Sequence, residues 1–151
     1  MIVAGGSTRA ALFALLEAGV PEVRLSNRTR EKAETLAAAF GARVKVVDWA
    51  ERAAMLASCG LLANTTSLGM TGQPPLDIAL DDLPEGAVVY DIVYAPLETA
   101  LLAAARARGH AVVDGLGMLL HQAVPGFAAW FGRTPEVDGA LRDVVLKDLA
   151  P

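Results

Sequence analysis

The chain opens Met1-Ile2-Val3-Ala4-Gly5-Gly6-Ser7-Thr8-Arg9-Ala10 and continues Ala11-Leu12-Phe13-Ala14-Leu15-Leu16-Glu17-Ala18-Gly19. An apolar run gives way to paired glycines, then hydroxyl residues, then an Ala/Leu-rich segment closed by glycine. Strand, tight turn and helix in that order suit a pyrophosphate. Small residues let the backbone approach the phosphates, and the free N–H groups of the first helical turn point at the anion. Taken alone, Gly5-Gly6 is equally a structural turn. Only three residues precede Ala4, against about five or six in an average strand. The first strand therefore reads as clipped.

Working outward, Ser7 or Thr8 is a candidate cap for a helix reaching about Ala18, apolar nearly all round and so expected to be buried. A strand follows over 22–26. Thr29 is the expected cap of an amphipathic helix over 30–40, closed by Gly41. Next come a strand over 44–47, a weak helix over 49–57, and a short apolar strand over 61–63 running into Asn64-Thr65-Thr66-Ser67. Residues 69–84 hold three prolines and form the longest irregular stretch. Beyond them the pattern predicts a strand over 88–93, a helix over 97–108, a strand over 111–113, and helices over 115–131 and 136–149. Strands alternating with helices predict an α/β fold with a doubly wound parallel sheet, a Rossmann-like single domain over 1–151. Ligands of such sheets sit beyond the carboxyl ends of the strands, where the strand order reverses. Gly5-Gly6, Asn27-Arg28, residues 64–67, Tyr94 and Gly115 all fall at those ends.

Bulk properties narrow the function. Apolar residues make up 54% of the chain and charged residues 20%, a balance that excludes disorder. The net charge of −4 argues against nucleic acid or an anionic membrane as partner. No apolar run approaches the ~18 residues of a membrane span. Cys59 is the single cysteine, so it makes no internal disulfide and has no metal-ligand neighbours. A reducing cytoplasm is the expected compartment, and no metal site is expected.

The second strand ends about twenty residues after the glycine turn, where an NAD-binding domain usually places Asp or Glu for the ribose 2′-hydroxyl. Here the sequence reads Asn27-Arg28-Thr29-Arg30. A carboxylate would repel a 2′-phosphate, whereas a guanidinium pairs with it bidentately and Asn and Thr add neutral hydrogen bonds. The position favours NADP over NAD. In isolation the same four residues would read as a strand end with solvated charges.

Together these blocks resemble the NADP-binding half of shikimate dehydrogenases. The segment 4–10 is similar to that family's G-A-G-G-x-x-R-A turn, Asn27-Arg28-Thr29 to its N-R-T clamp, and 64–70 to N-T-T-S-x-G-M. Residues 91–102 resemble D-x-V-Y-x-P-x-x-T-x-L-L, and Gly115-Leu116-Gly117-Met118-Leu119-Leu120-His121-Gln122 continues the match, finished by Phe127, Trp130 and Gly132. Five blocks in family order are specific where each glycine motif is not. One departure stands out. The family's first motif glycine falls at Val3, which would carry a side chain into the turn.

The resemblance implies reversible NADPH-dependent reduction of 3-dehydroshikimate to shikimate. It also implies a substrate domain N-terminal to this one, bearing the catalytic Lys and Asp. None of Lys32, Lys45 and Lys147 stands in such a context, so the sequence predicts a cofactor domain with no catalytic residue of its own, inactive alone, whose partner is that substrate domain. By the same resemblance the cofactor would be held by Ala4, Gly5, Gly6, Ser7, Asn27, Arg28, Thr29, Thr65, Thr66, Ser67, Val93, Gly115, Met118 and Leu119. Gln122 and Tyr94 would touch the substrate. Gln122 lies two helical turns beyond Gly115, so the two share a face, and its amide both donates and accepts, as a polyhydroxylated ring requires. The competing readings are a solvated helix glutamine and a structural tyrosine hydroxyl. Asp91 reads as a structural group orienting loop amides, His110 as a surface residue opening a strand, and Phe127 and Trp130 as core or docking surface. Three other functions stay open: a standalone NADP-binding or regulatory module, a quinate/shikimate enzyme, and a methylene-tetrahydrofolate dehydrogenase. Asn27-Arg28 argues against an NAD-preferring quinate enzyme, and the Gln122 block against the folate enzyme.

Overall fold

The computed structural model describes residues 2, 3 and 6–149. Six strands, β1 (Ile2–Val3), β2 (Val23–Ser26), β3 (Val44–Val47), β4 (Leu61–Thr65), β5 (Val88–Asp91) and β6 (Ala111–Val113), form one sheet in the order β3-β2-β1-β4-β5-β6. Every pairing is parallel. This is the Rossmann-like strand order, with its reversal between β1 and β4.

The helices are α1 (Gly6–Glu17), α2 (Arg30–Phe40), α3 (Ala100–Ala107), α4 (Leu116–Phe131) and α5 (Gly139–Leu149). On one side α1 and α2 bury Leu12, Ala33 and Leu36 against Val23, Leu25, Val44 and Ala63. The second core joins α3 to β4 and β5 through Leu62, Val89, Leu101, Leu102 and Ala105. The irregular stretch after β4 seals this second core: Leu76, Leu80 and Leu83 are buried in it although no regular element holds them.

Several expectations change in detail. The first helix begins at Gly6, so Ser7 and Thr8 lie inside its first turn rather than before it. The Thr8 side chain turns inward and its hydroxyl bonds that of Thr65 at 3.1 Å. The helix is also not buried all round: Leu12 is fully enclosed, but Phe13 is 62% exposed, because the sheet covers only one side. Thr29 precedes α2 in an extended conformation without a side-chain capping bond. Its amide instead donates to Asn27 Oδ1 at 3.0 Å. The weak helix after β3 is two 3-10 turns, Trp49–Glu51 and Ala54–Leu56. The strand at 61 extends through Asn64 and Thr65, the one at 88 stops at Asp91, and the helix expected from 97 starts at Ala100. Thr99 caps that helix, its Oγ1 accepting from Leu102 N at 3.3 Å. His110 is buried rather than on the surface, with Nδ1 lacking a hydrogen-bond partner among the described residues.

α4 buries Leu116 and Leu120 but leaves Trp130 81% exposed and Phe131 largely so. α5 buries none of its residues. An ion pair holds it: Arg142 Nη2 meets Asp114 Oδ2 at 2.6 Å, while Asp114 Oδ1 accepts from Leu116 N at 3.0 Å.

Candidate cofactor site

The carboxyl ends of the parallel strands bring the sequence motifs to one edge of the sheet. β1 leads into the first turn of α1, β2 into Asn27 and Arg28, and β4 into Thr66 and Ser67. β5 leads into Val93 and Tyr94, and β6 into Asp114 and Gly115. Ala4 and Gly5 lie outside the described residues, as does the Val3 side chain. Gly6 and Ser7 are exposed at the start of α1, whose first turn carries no acidic residue. A twelve-residue helix with an acid-free N-terminus at a sheet crevice is compatible with an anion.

At the end of β2 the two arginines differ. Arg30 reaches Glu34 at 2.7 Å and also pairs with Asp48. Those bonds, Asp48 first, raise its pKa above the ordinary value. Arg28 is exposed and makes no hydrogen bond or ion pair among the described residues. Asn27 commits its Oδ1 to the Thr29 amide and keeps its NH2 group. Of these two arginines, Arg28 is the one with no committed partner among the described residues. The resemblance of Asn27-Arg28-Thr29 to the N-R-T clamp singles out the same arginine, Arg28 rather than Arg30.

The loop after β4 is held from within. Asn64 is fully buried; its Nδ2 donates to Leu68 O at 3.1 Å and to Asp91 Oδ1 at 2.9 Å. Its Oδ1 accepts from the amide of Thr66 at 3.0 Å and the hydroxyl at 2.7 Å. Thr66 Oγ1 in turn accepts from Leu68 N at 3.0 Å. Asp91 Oδ1 also accepts from Val93 N at 3.1 Å, and Oδ2 from Thr99 Oγ1 at 2.8 Å. Asp91 does orient a loop amide, that of Val93, and in addition fastens α3. Burial, the largest influence, raises the Asp91 carboxyl above its ordinary value, against the bonds from Val93, Thr99 and Asn64. Burial likewise raises the neighbouring Tyr90, reinforced by Asp91 and Asp114. Of the hydroxyls read as cofactor contacts, those of Thr65 and Thr66 engage Thr8 and Asn64, while Ser67 is exposed.

The remaining wall is assembled by backbone. Thr71 N donates to Ala95 O at 2.8 Å, and Gly115 N to Val93 O at 3.2 Å. A Cβ at Gly115 would lie 2.1 Å from Ile92 O and 2.6 Å from Val93 O. Glycine there lets the start of α4 touch the loop after β5. Along α4, Met118 and Leu119 are half-buried and Gln122 is exposed; Tyr94, after β5, is half-buried. No group of three or more His, Cys, Asp or Glu among the described residues is arranged to hold a metal, and none of the described helices is long and apolar enough to cross a membrane. Asn64, Asp91, Thr8 and Asp114 are the site's supports that sequence reading left out or understated. The contacts of Thr8 with Thr65, Asn64 with Asp91 and Asp114 with Arg142 each join residues far apart in the chain, so no local signal marks them.

Comparison with known proteins agrees with this geometry. Residues 115–142 match the model of the shikimate 5′-dehydrogenase C-terminal domain. The NADP(+) shikimate dehydrogenase of Paramagnetospirillum magneticum is 64% identical over 97% of this chain, which covers 53% of that protein. Shikimate 5-dehydrogenase from Thermus thermophilus, solved with NADP(H) and shikimate, superposes with a TM-score of 0.75 at 36% identity, covering 89% of this chain and 49% of that one. Quinate dehydrogenase from Corynebacterium glutamicum, solved with NAD, gives 0.87 at 32% identity, covering 97% and 53%. The chain spans about half the length of the curated relatives it matches, and it is similar to their C-terminal half.

Proposed function

Starting from that likeness to the C-terminal half of shikimate dehydrogenases, we propose that this chain is the NADP-binding half of such an enzyme, serving the reversible reduction of 3-dehydroshikimate to shikimate. The observation that carries the cofactor reading is Arg28, exposed and uncommitted at the end of β2 beside an Arg30 already neutralised by two carboxylates. NADPH, when bound, supplies the hydride. The work of this chain is placement. Arg28 and the NH2 group of Asn27 take the 2′-phosphate, and the first turn of α1 faces the pyrophosphate. The backbone at Val93 and Gly115, with Met118 and Leu119, bounds the nicotinamide end. Gln122 and Tyr94 present an amide and a hydroxyl toward the substrate. Fixing the donor carbon near the ketone removes an entropic barrier. Proton transfer falls to a Lys-Asp pair on a substrate domain, the expected partner of this half. Nucleotide titration tests the reading: NADP should bind more tightly than NAD, and Arg28→Ala should erase the difference. Equal affinities for the two in the unaltered chain would sink it.

A second reading, a quinate enzyme using NAD, draws on the 0.87 superposition with quinate dehydrogenase. The same titration separates the two, since that reading requires NAD to bind more tightly.

A further inference from the structure

The first helix meets the sheet through one stripe of side chains. Within α1, Thr8 and Leu12 are fully enclosed, one turn apart on the inward face, and Ala11, Leu15 and Leu16 are half-buried beside them. Thr8 is the one polar side chain in that set. Leu12 packs in the same core as Ala63 of β4, and Thr65, two residues further along the strand, shares the face of Ala63. At this carboxyl end of β4 the Thr8 and Thr65 hydroxyls meet at 3.1 Å, with the two residues 0% and 1% exposed. Thr65 is a firm attachment point. On one side of it Asn64 bonds Asp91, and on the other the amide and hydroxyl of Thr66 bond Asn64.

We propose that Thr8 is a positioning residue for the cofactor's pyrophosphate: its bond to Thr65 fixes the first turn of α1, and with it the amides offered to the anion. This rests on the reading of that turn as the pyrophosphate site. Apolar contact is non-directional, so a seam of Ala and Leu side chains by itself sets no one position for the helix along its axis. A hydrogen bond constrains both distance and angle, and this one stands in the turn that faces the phosphates. Both threonines are closed off from the surface, so the bond acts through the backbone it holds. It also gives the two ends of the site a common reference. Through Asn64 and Asp91, the same segment of β4 fixes the Val93 amide at the nicotinamide end.

Thr8→Val keeps the branched shape and removes the hydroxyl, whereas Thr8→Ser keeps the hydroxyl. Titrating the full chain with NADP, NAD and 2′-AMP separates the roles, since 2′-AMP carries a 2′-phosphate and no pyrophosphate. Thr8→Val should weaken NADP and NAD by the same factor, about fivefold for one hydrogen bond, and leave 2′-AMP unchanged. Thr8→Ser should bind all three as the unaltered chain does. Thr8→Val combined with Thr65→Val should lose no more than Thr65→Val alone, because the two residues act through one bond. Unchanged dinucleotide affinity in Thr8→Val overturns the proposal. So does a matching loss of 2′-AMP, which would mean a general loosening of the domain, or a Thr8→Ser chain as weak as Thr8→Val. Equal affinities for NADP and NAD in the unaltered chain sink the NADP reading and leave this comparison standing, because both carry the pyrophosphate. Binding of neither dinucleotide overturns both.

Discussion

Asn64 and Asp91 face each other across β4 and β5, fully buried, with Nδ2 of one 2.9 Å from Oδ1 of the other. Through this contact one carboxylate sets the loop after β4, the Val93 amide after β5 and the Thr99 cap of α3. Asp91→Ala leaves donors on Asn64, Val93 and Thr99 without an acceptor. Each orphaned group costs about 1–3 kcal/mol, so urea denaturation should report a loss of roughly 3 kcal/mol or more. A loss under about 1 kcal/mol would show that water replaces the carboxylate and that the network does not hold the loop.

Asp91→Asn gives the same site a pH signature. Burial holds the Asp91 carboxyl above its ordinary value in the folded chain, so the native state binds more protons than the unfolded one. The contribution of this group to stability is therefore greatest below the unfolded value and is lost as pH rises through the folded one. Asparagine does not titrate. The stability gap between the unaltered chain and Asp91→Asn should be widest in acid and narrow as pH rises above the ordinary carboxylate range, about 4. Denaturation at a series of pH values reads this directly, and a gap that widens with pH contradicts it.

Arg28→Ala and Arg30→Ala should separate recognition from support. A charge-assisted bidentate contact is worth about 1.5–3 kcal/mol, so Arg28→Ala should weaken NADP binding by roughly 10- to 100-fold while leaving NAD unchanged. Arg30→Ala removes exposed pairs with Glu34 and Asp48 and should alter NADP affinity only slightly, through the less positive local field. Fluorescence titration of both nucleotides against both variants makes the comparison. A larger NADP loss for Arg30→Ala would reverse the assignment.

The sequence was legible where structure is local. The helix over 30–40 and the strands over 44–47 and 111–113 appear as expected, because apolar period and a closing glycine are properties of neighbouring residues. The site was legible as a set of strand ends, since alternation alone predicts a parallel sheet. What stayed hidden were partnerships across the crossovers. Thr8 meets Thr65, Asn64 meets Asp91, and Asp114 meets Arg142; strand order decides the first two, and the return of α5 the third. His110 misled too: its place at the start of a strand suggests exposure, yet it is buried. The weak helix over 49–57 failed because its residues complete two separate 3-10 turns, one after another.

Asp114 should matter more than its ion pair. Arg142→Ala removes a partly exposed pair, worth about 0.2–1 kcal/mol, and frees α5, which buries none of its residues. Asp114→Ala removes the same pair and also the acceptor for Leu116 N at the start of α4, and losing that bond costs about 1 kcal/mol more. Thermal melts should rank Asp114→Ala below Arg142→Ala, and amide exchange along α5 should quicken in both. Equal melting of the two variants would mean that the bond to Leu116 N contributes nothing.

Gly115 and Gly117 stand two residues apart at the start of α4 and should respond oppositely to alanine. A Cβ at Gly115 would lie 2.1 Å from Ile92 O and 2.4 Å from Ile92 C, both backbone atoms that no rotamer change can move. The start of α4 would have to shift away from the loop after β5, breaking the bond from Gly115 N to Val93 O. Overpacking of this kind costs about 1–3 kcal/mol, and because the displaced loop carries Val93 and Tyr94, nucleotide affinity should fall with stability. A Cβ at Gly117 meets nothing within 4 Å, and alanine is favoured over glycine by about 0.5–1 kcal/mol in mid-helix and by less in the first turn, where Gly117 stands. Gly117→Ala should therefore raise Tm slightly and serve as the control for helix propensity. Melting and NADP titration on the pair decide the matter. If both variants move the same way, the close approach at Gly115 is not what fixes α4 against the sheet.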